Sequence, residues 1–215
     1  MTVSIELRGL DAVERYYREA PAIAREAARF AVNDAAKFGA RRASEEIRKQ
    51  VRFSRTYLGN ASNADARLRI RKVAKGGDLE AVITARRRPT SLARFASGTP
   101  TFGRTRGRGP RVKVKPGAGY RTIKKGFFLR LRAGGSNLDQ FNVGLAIRMN
   151  PGEVLRNRNK GLTGLKAFGS SKNLYLLYGP SVDQVFQTVR ADIAPRVAAE
   201  AEKQFLRQFA RLSRG

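Results

Sequence analysis

Apolar positions near the start of the chain change their spacing once. From Thr2 to Leu7 they alternate, with Val3, Ile5 and Leu7 on one side, which predicts a short strand. Gly9 breaks it, and Asp11 can cap a short helix carrying Val13, Tyr16 and Tyr17. Pro21 then suits the first turn of a long helix reaching about Val51. Its first half has an apolar stripe of Ile23, Ala27, Phe30, Ala31 and Phe38. Ile47 and Val51 fall on a rotated face, with Gly39 at the change, so either the helix bends there or it buries two faces. Residues 53–64 read as a polar connector.

Alternation returns with Leu68 and Ile70 among arginines. The Gly76-Gly77-Asp78 turn and the run Leu79 to Ala85 complete a hairpin. Arg86-Arg87-Arg88-Pro89 ends it, and Thr90 to Phe95 has the pattern of one helical turn. Residues 97–119 lack strong periodicity and predict an extended loop or arm, with a strand possible where Val112 and Val114 alternate with Arg111, Lys113 and Lys115. Tyr120 to Arg132, Asn142 to Met149 and Leu174 to Tyr178 read as strands, and 150–173 as a second loop. Ser181 to Gln184 has capping-box spacing. The helix after it carries Val185, Phe186, Val189 and Ile193, then Val197, Ala201, Phe205 and Phe209 beyond a bend or restart at Pro195. Together these elements predict an α+β fold in one domain spanning 1–215. A mixed or antiparallel sheet of about five or six strands is flanked by a long N-terminal and a long C-terminal helix.

Charge changes this picture most. The 215 residues carry a net charge of +27. Residues 81–138 hold fifteen Lys or Arg and no Asp or Glu, while the chain on either side is only mildly basic. Such a block predicts a polyanionic neighbour: nucleic acid, a membrane surface or an acidic protein. The membrane is the poorest fit, because the block is too rich in Gly and Pro for a basic amphipathic helix. No apolar run approaches a transmembrane length, and the first residues have no h-region, so no signal peptide is expected.

The chain has no Cys and no His, which removes thiolate chemistry, the commonest general base and the commonest metal ligand. The glycine-rich run from Gly103 to Gly109 does not fit the phosphate-binding GxxxxGK[ST] pattern. The carboxylate pairs Glu45-Glu46, Asp78/Glu80 and Glu200/Glu202 sit among charged neighbours, as solvated groups do. Asp34, inside the apolar stripe, is expected to be a paired buried acid, with an Arg for partner, or a subunit contact. No enzyme activity, cofactor or metal is expected. The residues placed to track phosphates are Arg104, Arg106, Arg108, Arg111, Lys113 and Lys115, supported by Arg86, Arg87 and Arg88. Aromatics are sparse there, only Phe102 and Tyr120, so sequence-independent contact with backbone phosphates is expected rather than base stacking.

Four blocks in order carry a likeness: the Ala/Arg-rich helix from Pro21 followed by SRTYLG (54–59), ARRRPTSLARF (85–95), GFFLRL (126–131) and LYGPSVDQVF (177–186). In these the chain resembles the minor tail protein Z family, the tail-completion proteins of lambda-like long-tailed phages and prophages. The resemblance implies a structural virion protein at the head–tail neck, assembled in the host cytoplasm as a ring of six subunits. It also implies contacts with the tail terminator, with a head-closure or tail-tube protein, and with the packaged DNA end. Subunit contacts would then come from Phe30, Phe38, Ile47 and Val51 on the first helix and from Val185 and Phe186 on the last. A stand-alone, sequence-independent nucleic-acid-binding protein is the alternative.

Overall fold

The computed structural model describes residues 3–5, 20–98, 102, 109–131, 143–148, 150, 166–167 and 174–214. It is α+β, with a long helix towards each end of the chain and antiparallel sheets between them. The expected helix at Asp11 lies outside the described residues. The framework forms two compact units. One comprises 1–48, 53–86 and 185–215; the other comprises 49–52 and 87–184.

The first unit carries helix α1 (Pro21–Gln50) as far as Arg48, the short helix α2 (Arg55–Leu58), and strands β1 (Val3–Ile5), β2 (Leu68–Lys72) and β3 (Ala81–Ala85). It also carries helix α3 (Val182–Leu212) from Val185 onward. The sheet order is β1-β3-β2, antiparallel throughout, and the expected hairpin is β2–β3. Helix α1 is unbroken through Gly39, and its buried positions are mostly small: among them Ala27, Ala31, Ala35, Gly39, Ala43 and finally Ile47, each four residues on. Steps of four advance about 40° around a 3.6-residue helix, so the buried stripe winds gradually from one face to the other.

Alanines on α1 leave room for large side chains opposite. Phe205 of α3 packs on Ala24, Ala27, Ala28 and Ala31, joined by Leu79, Phe209 and Leu212. Val197 and Ala201 pack on Ala35, joined by Phe38. Small against large is what fills such a seam to crystal-like density. Polar groups fix the register. The Asn33 amide donates to the Ala74 carbonyl (3.0 Å) and accepts from the Ala74 N–H (2.8 Å), tying α1 to the chain after β2. Asp34 is half-buried and, among the described residues, is partnered by Lys37, 3.3 Å away, and by Gln208 of α3, which donates to its other oxygen at 3.3 Å, rather than by an Arg.

The connector at 53–64 is less polar in effect than its composition. Ser54 caps α2 by accepting from the Tyr57 N–H at 3.1 Å, and Phe53, Tyr57 and Leu58 are buried. The Arg67 guanidinium lies over the Tyr57 ring (4.1 Å) and donates to the Tyr57 carbonyl (2.8 Å). Gly59 has φ +82°, a left-handed conformation that disfavours a side chain.

In the second unit the main sheet runs β4 (Thr90–Ser91), β10 (Leu174–Gly179), β8 (Val143–Arg148), β7 (Gly126–Arg130), with β9 (Lys166–Ala167) also on β10. A 3-10 turn, Leu92–Phe95, follows β4 where one helical turn is expected. The core is Ala93, Val112, Phe128 and Leu145, edged by Leu92, Ile123, Val143 and Leu177. The capping box forms as expected: Ser181 Oγ accepts from the Gln184 N–H (3.0 Å), and Gln184 Oε1 accepts from the Ser181 N–H (2.8 Å). Pro195 lies inside α3, which neither stops nor restarts there.

Candidate functional site

Charge is divided unequally between the units. From the sequence, the second holds 22 basic and 3 acidic side chains, net +19, and the first 22 and 14, net +8. Among the described residues of the second unit the only carboxylate is that of Asp183.

Among its described residues a basic exposed feature is a two-stranded ribbon, β5 (Arg111–Val112) with β6 (Arg121–Thr122). Residues 109–119, expected to belong to a loop, are therefore hydrogen-bonded structure. β5 is bonded on its other side as well. Ser97 donates to the Arg111 carbonyl, and Lys113 donates to the Phe95 carbonyl, both at 2.9 Å. The reason is the alternation of Arg111, Val112, Lys113, Val114 and Lys115. Strand geometry sends Val112 into the core, 5% exposed, and sets Arg111 and, one step on, Lys113 on the opposite face. Pro116 turns the ribbon, with Ala118 donating to the Lys115 carbonyl at 3.2 Å. Gly109 lets the ribbon close: a Cβ there would lie 1.7 Å from the Ile123 carbonyl oxygen.

Arg111 pairs with Thr122 and Val112 with Arg121. One further step sets Lys113 opposite Tyr120, whose ring gathers three cations. The Arg111 guanidinium is 5.2 Å from the ring centroid, the Lys113 ammonium 5.9 Å, and the Arg52 guanidinium 6.0 Å. Arg52 is held there by its backbone, whose N–H donates to the Val114 carbonyl at 2.7 Å. Tyr120 is 39% exposed. Cations this close to one centroid are at most about 12 Å apart, so each pair repels by at least about 0.3 kcal/mol in water. Cation–π attraction at an exposed ring is only about 0.5–1 kcal/mol per cation. The cluster gains little by itself and more when an anion sits among its charges. Elsewhere in this unit Phe102, 41% exposed, bridges to Phe128 and lies 4.8 Å from the Arg130 guanidinium.

Of the residues expected to track phosphates, Arg111 and Lys113 come together at the Tyr120 ring, and Lys115 is exposed in the turn beyond them. Arg104, Arg106 and Arg108 lie outside the described residues. Arg87 and Arg88 are exposed in the second unit, whereas Arg86 belongs to the first, half-buried and donating its N–H to the Arg67 carbonyl (2.7 Å). Arg52, Arg121 and Lys124 are exposed basic residues that the sequence did not single out. The charge block contains two of them, but Arg52 has no sequence signal.

The expected subunit-contact residues are redistributed. Ile47, Val51, Val185 and Phe186 are buried within their own chain, and that burial accounts for their apolarity without a neighbour. Phe30 and Phe38 are half-buried under arginines: Arg29 and Arg211 at 4.3 and 5.3 Å from Phe30, Arg41 and Arg42 at 5.5 and 5.3 Å from Phe38. Among the described residues there is no group of three or more His, Cys, Asp or Glu able to hold a metal ion, and no helix long and apolar enough to cross a membrane. No known protein family, curated protein or solved structure matches this chain.

Proposed function

We propose that this chain is a structural virion protein, without catalytic activity, that completes the head-proximal end of a phage tail. It works as a ring at the head–tail neck and makes the tail competent to join the DNA-filled capsid. The observation that carries the reading is the charge concentrated in one unit, with its exposed ribbon of Arg111, Lys113, Lys115 and Arg52. Placed towards the axial channel, that surface meets the phosphates of the packaged DNA end. The ordered likeness of four sequence blocks to tail-completion proteins supports the same role. In this reading Phe30 and Phe38, under their arginines, are the α1 residues offered to a neighbouring subunit, and the tail terminator and a head-closure or tail-tube protein are the other partners.

A stand-alone nucleic-acid-binding protein is favoured instead by the ribbon taken alone. Mass spectrometry of purified particles separates the two: stoichiometric presence supports the neck reading, and absence overturns it. Replacing Arg104, Arg106 and Arg108 by Glu, or Arg111 and Lys113 by Glu, is then expected to abolish head–tail joining or DNA retention. Wild-type infectivity of both variants would sink the DNA contact.

A further inference from the structure

We infer that the Tyr120 face of the ribbon binds unpaired, single-stranded nucleic acid in preference to duplex, with a base stacked on the Tyr120 ring. This rests on the reading of the ribbon as a surface that meets nucleic acid, and it specifies which form of nucleic acid. Large hydrophobic side chains that are exposed among the described residues are Val73, Phe102, Tyr120 and Leu206. Two are aromatic, both lie in the basic unit, and both have guanidinium groups within 6.0 Å of the ring centroid. A phosphate-tracking surface needs cations alone. An acidic protein surface is likewise satisfied by the cations and gives the ring no partner. A duplex keeps its base faces inside its own stack, whereas a single strand offers a π-face and a phosphate on either side of it. That is the combination of aromatic platform and positive groove by which proteins hold single strands without reading sequence.

Arg111, Lys113 and Arg52 approach the ring from two separate parts of the chain, so it is ringed by donors. The half-exposed ring leaves area for a base, and Thr122, on the same face across from Arg111, adds a hydroxyl that can meet a phosphate or sugar oxygen. Functionally, the ribbon then recognises a frayed or unpaired end rather than the side of a duplex.

The test uses the full chain and two fluorescein-labelled probes of equal length, an oligothymidylate of about 16 nucleotides and a duplex, titrated by anisotropy at fixed salt. The single strand is expected to bind more tightly. Tyr120→Leu is expected to weaken single-strand binding roughly five- to hundredfold, with duplex binding unchanged, while Tyr120→Phe retains the wild-type preference. Equal affinity for both probes, or duplex preference, overturns the inference, as does a folded Tyr120→Leu that keeps wild-type single-strand affinity. If that variant does not fold, ultraviolet cross-linking of wild-type protein to a 5-bromouracil oligonucleotide decides. An adduct mapped to Tyr120 supports the stacking, and adducts only elsewhere refute it. Neither measurement uses particles, so failure here leaves the neck assignment standing, and failure of that assignment leaves the single-strand preference standing.

Discussion

Replacing Arg111 and Lys113 together by glutamine removes two of the three cations gathered at the Tyr120 ring, the other being Arg52. If each of the three neutralises one phosphate, the logarithm of single-strand affinity falls with the logarithm of salt at a slope of about −2.1. Raising salt fourfold then weakens binding about eighteenfold. With one cation left the slope is about −0.7, and the same change weakens binding only about threefold. Arg121 is an internal control. It pairs across from Val112, whose side chain points to the core, so it lies off the Tyr120 face, yet it is exposed and equally charged. Arg121→Gln is expected to leave the slope near its wild-type value. Anisotropy titrations of one labelled strand at four or more salt concentrations give all three slopes. A double variant with the wild-type slope, or an Arg121 variant that lowers it as much, would show that charge acts diffusely and that this face is not the contact.

Three further outcomes follow from packing and ionisation. Asn33→Leu strips the partners from both backbone groups of Ala74, which is 1% exposed, and is expected to cost about 2–4 kcal/mol in urea unfolding; Asn33→Asp keeps the acceptor and should cost less. Gly109→Ala forces the ribbon off Ile123, so the Ile123 N–H, which donates to Pro110, should lose protection in hydrogen exchange while helix α1 keeps its own. The Arg29 guanidinium, hydrogen-bonded to Glu26, holds that carboxyl below the ordinary glutamate range. Arg29→Met should therefore raise the Glu26 midpoint in an NMR titration. Because the folded-state value is the depressed one, any stabilisation from the pair is present above the unfolded glutamate midpoint and fades as pH falls through the folded one.

What could be read from the chain depended on how strongly each residue type announces its role. The capping box at Ser181 combines spacing with distinctive side chains and forms where expected, and the alternation from Arg111, read as a possible strand inside a loop, holds as the two-residue strand β5. The buried stripe of α1 was read only in part: Ala27, Ala31 and Ile47 were visible, but Ala24, Ala28, Ala35 and Ala43 were not, because alanine contributes little to an apolar pattern. The larger Phe30 and Phe38 drew attention to a face that is only half-covered. Tyr120 was visible as an aromatic but not as a gathering point. Its cations come from Arg52, on the far side of the β2–β3 hairpin in sequence, and from a cross-strand neighbour. Local spacing cannot bring such residues together; only strand register does. The Gly109 contact was hidden for the same reason, since the Ile123 oxygen it approaches belongs to another strand end.

The polar bridge between the two long helices joins Asp34 to Gln208, residues 174 positions apart. On a ribosome, α1 emerges with its alanine stripe uncovered; Leu79 follows with the hairpin, but Phe205, Phe209 and Leu212 come only near the end of α3. Its core therefore closes last, when Phe205 arrives, and a pairing so remote in sequence is slow to form. Until then the nascent chain presents apolar helix surface beside a net positive charge, the state in which chaperones and polyanions compete for it. A polypeptide interrupted before α3 lacks Phe205, Phe209 and Leu212, three of the side chains that cover Ala24 to Ala31.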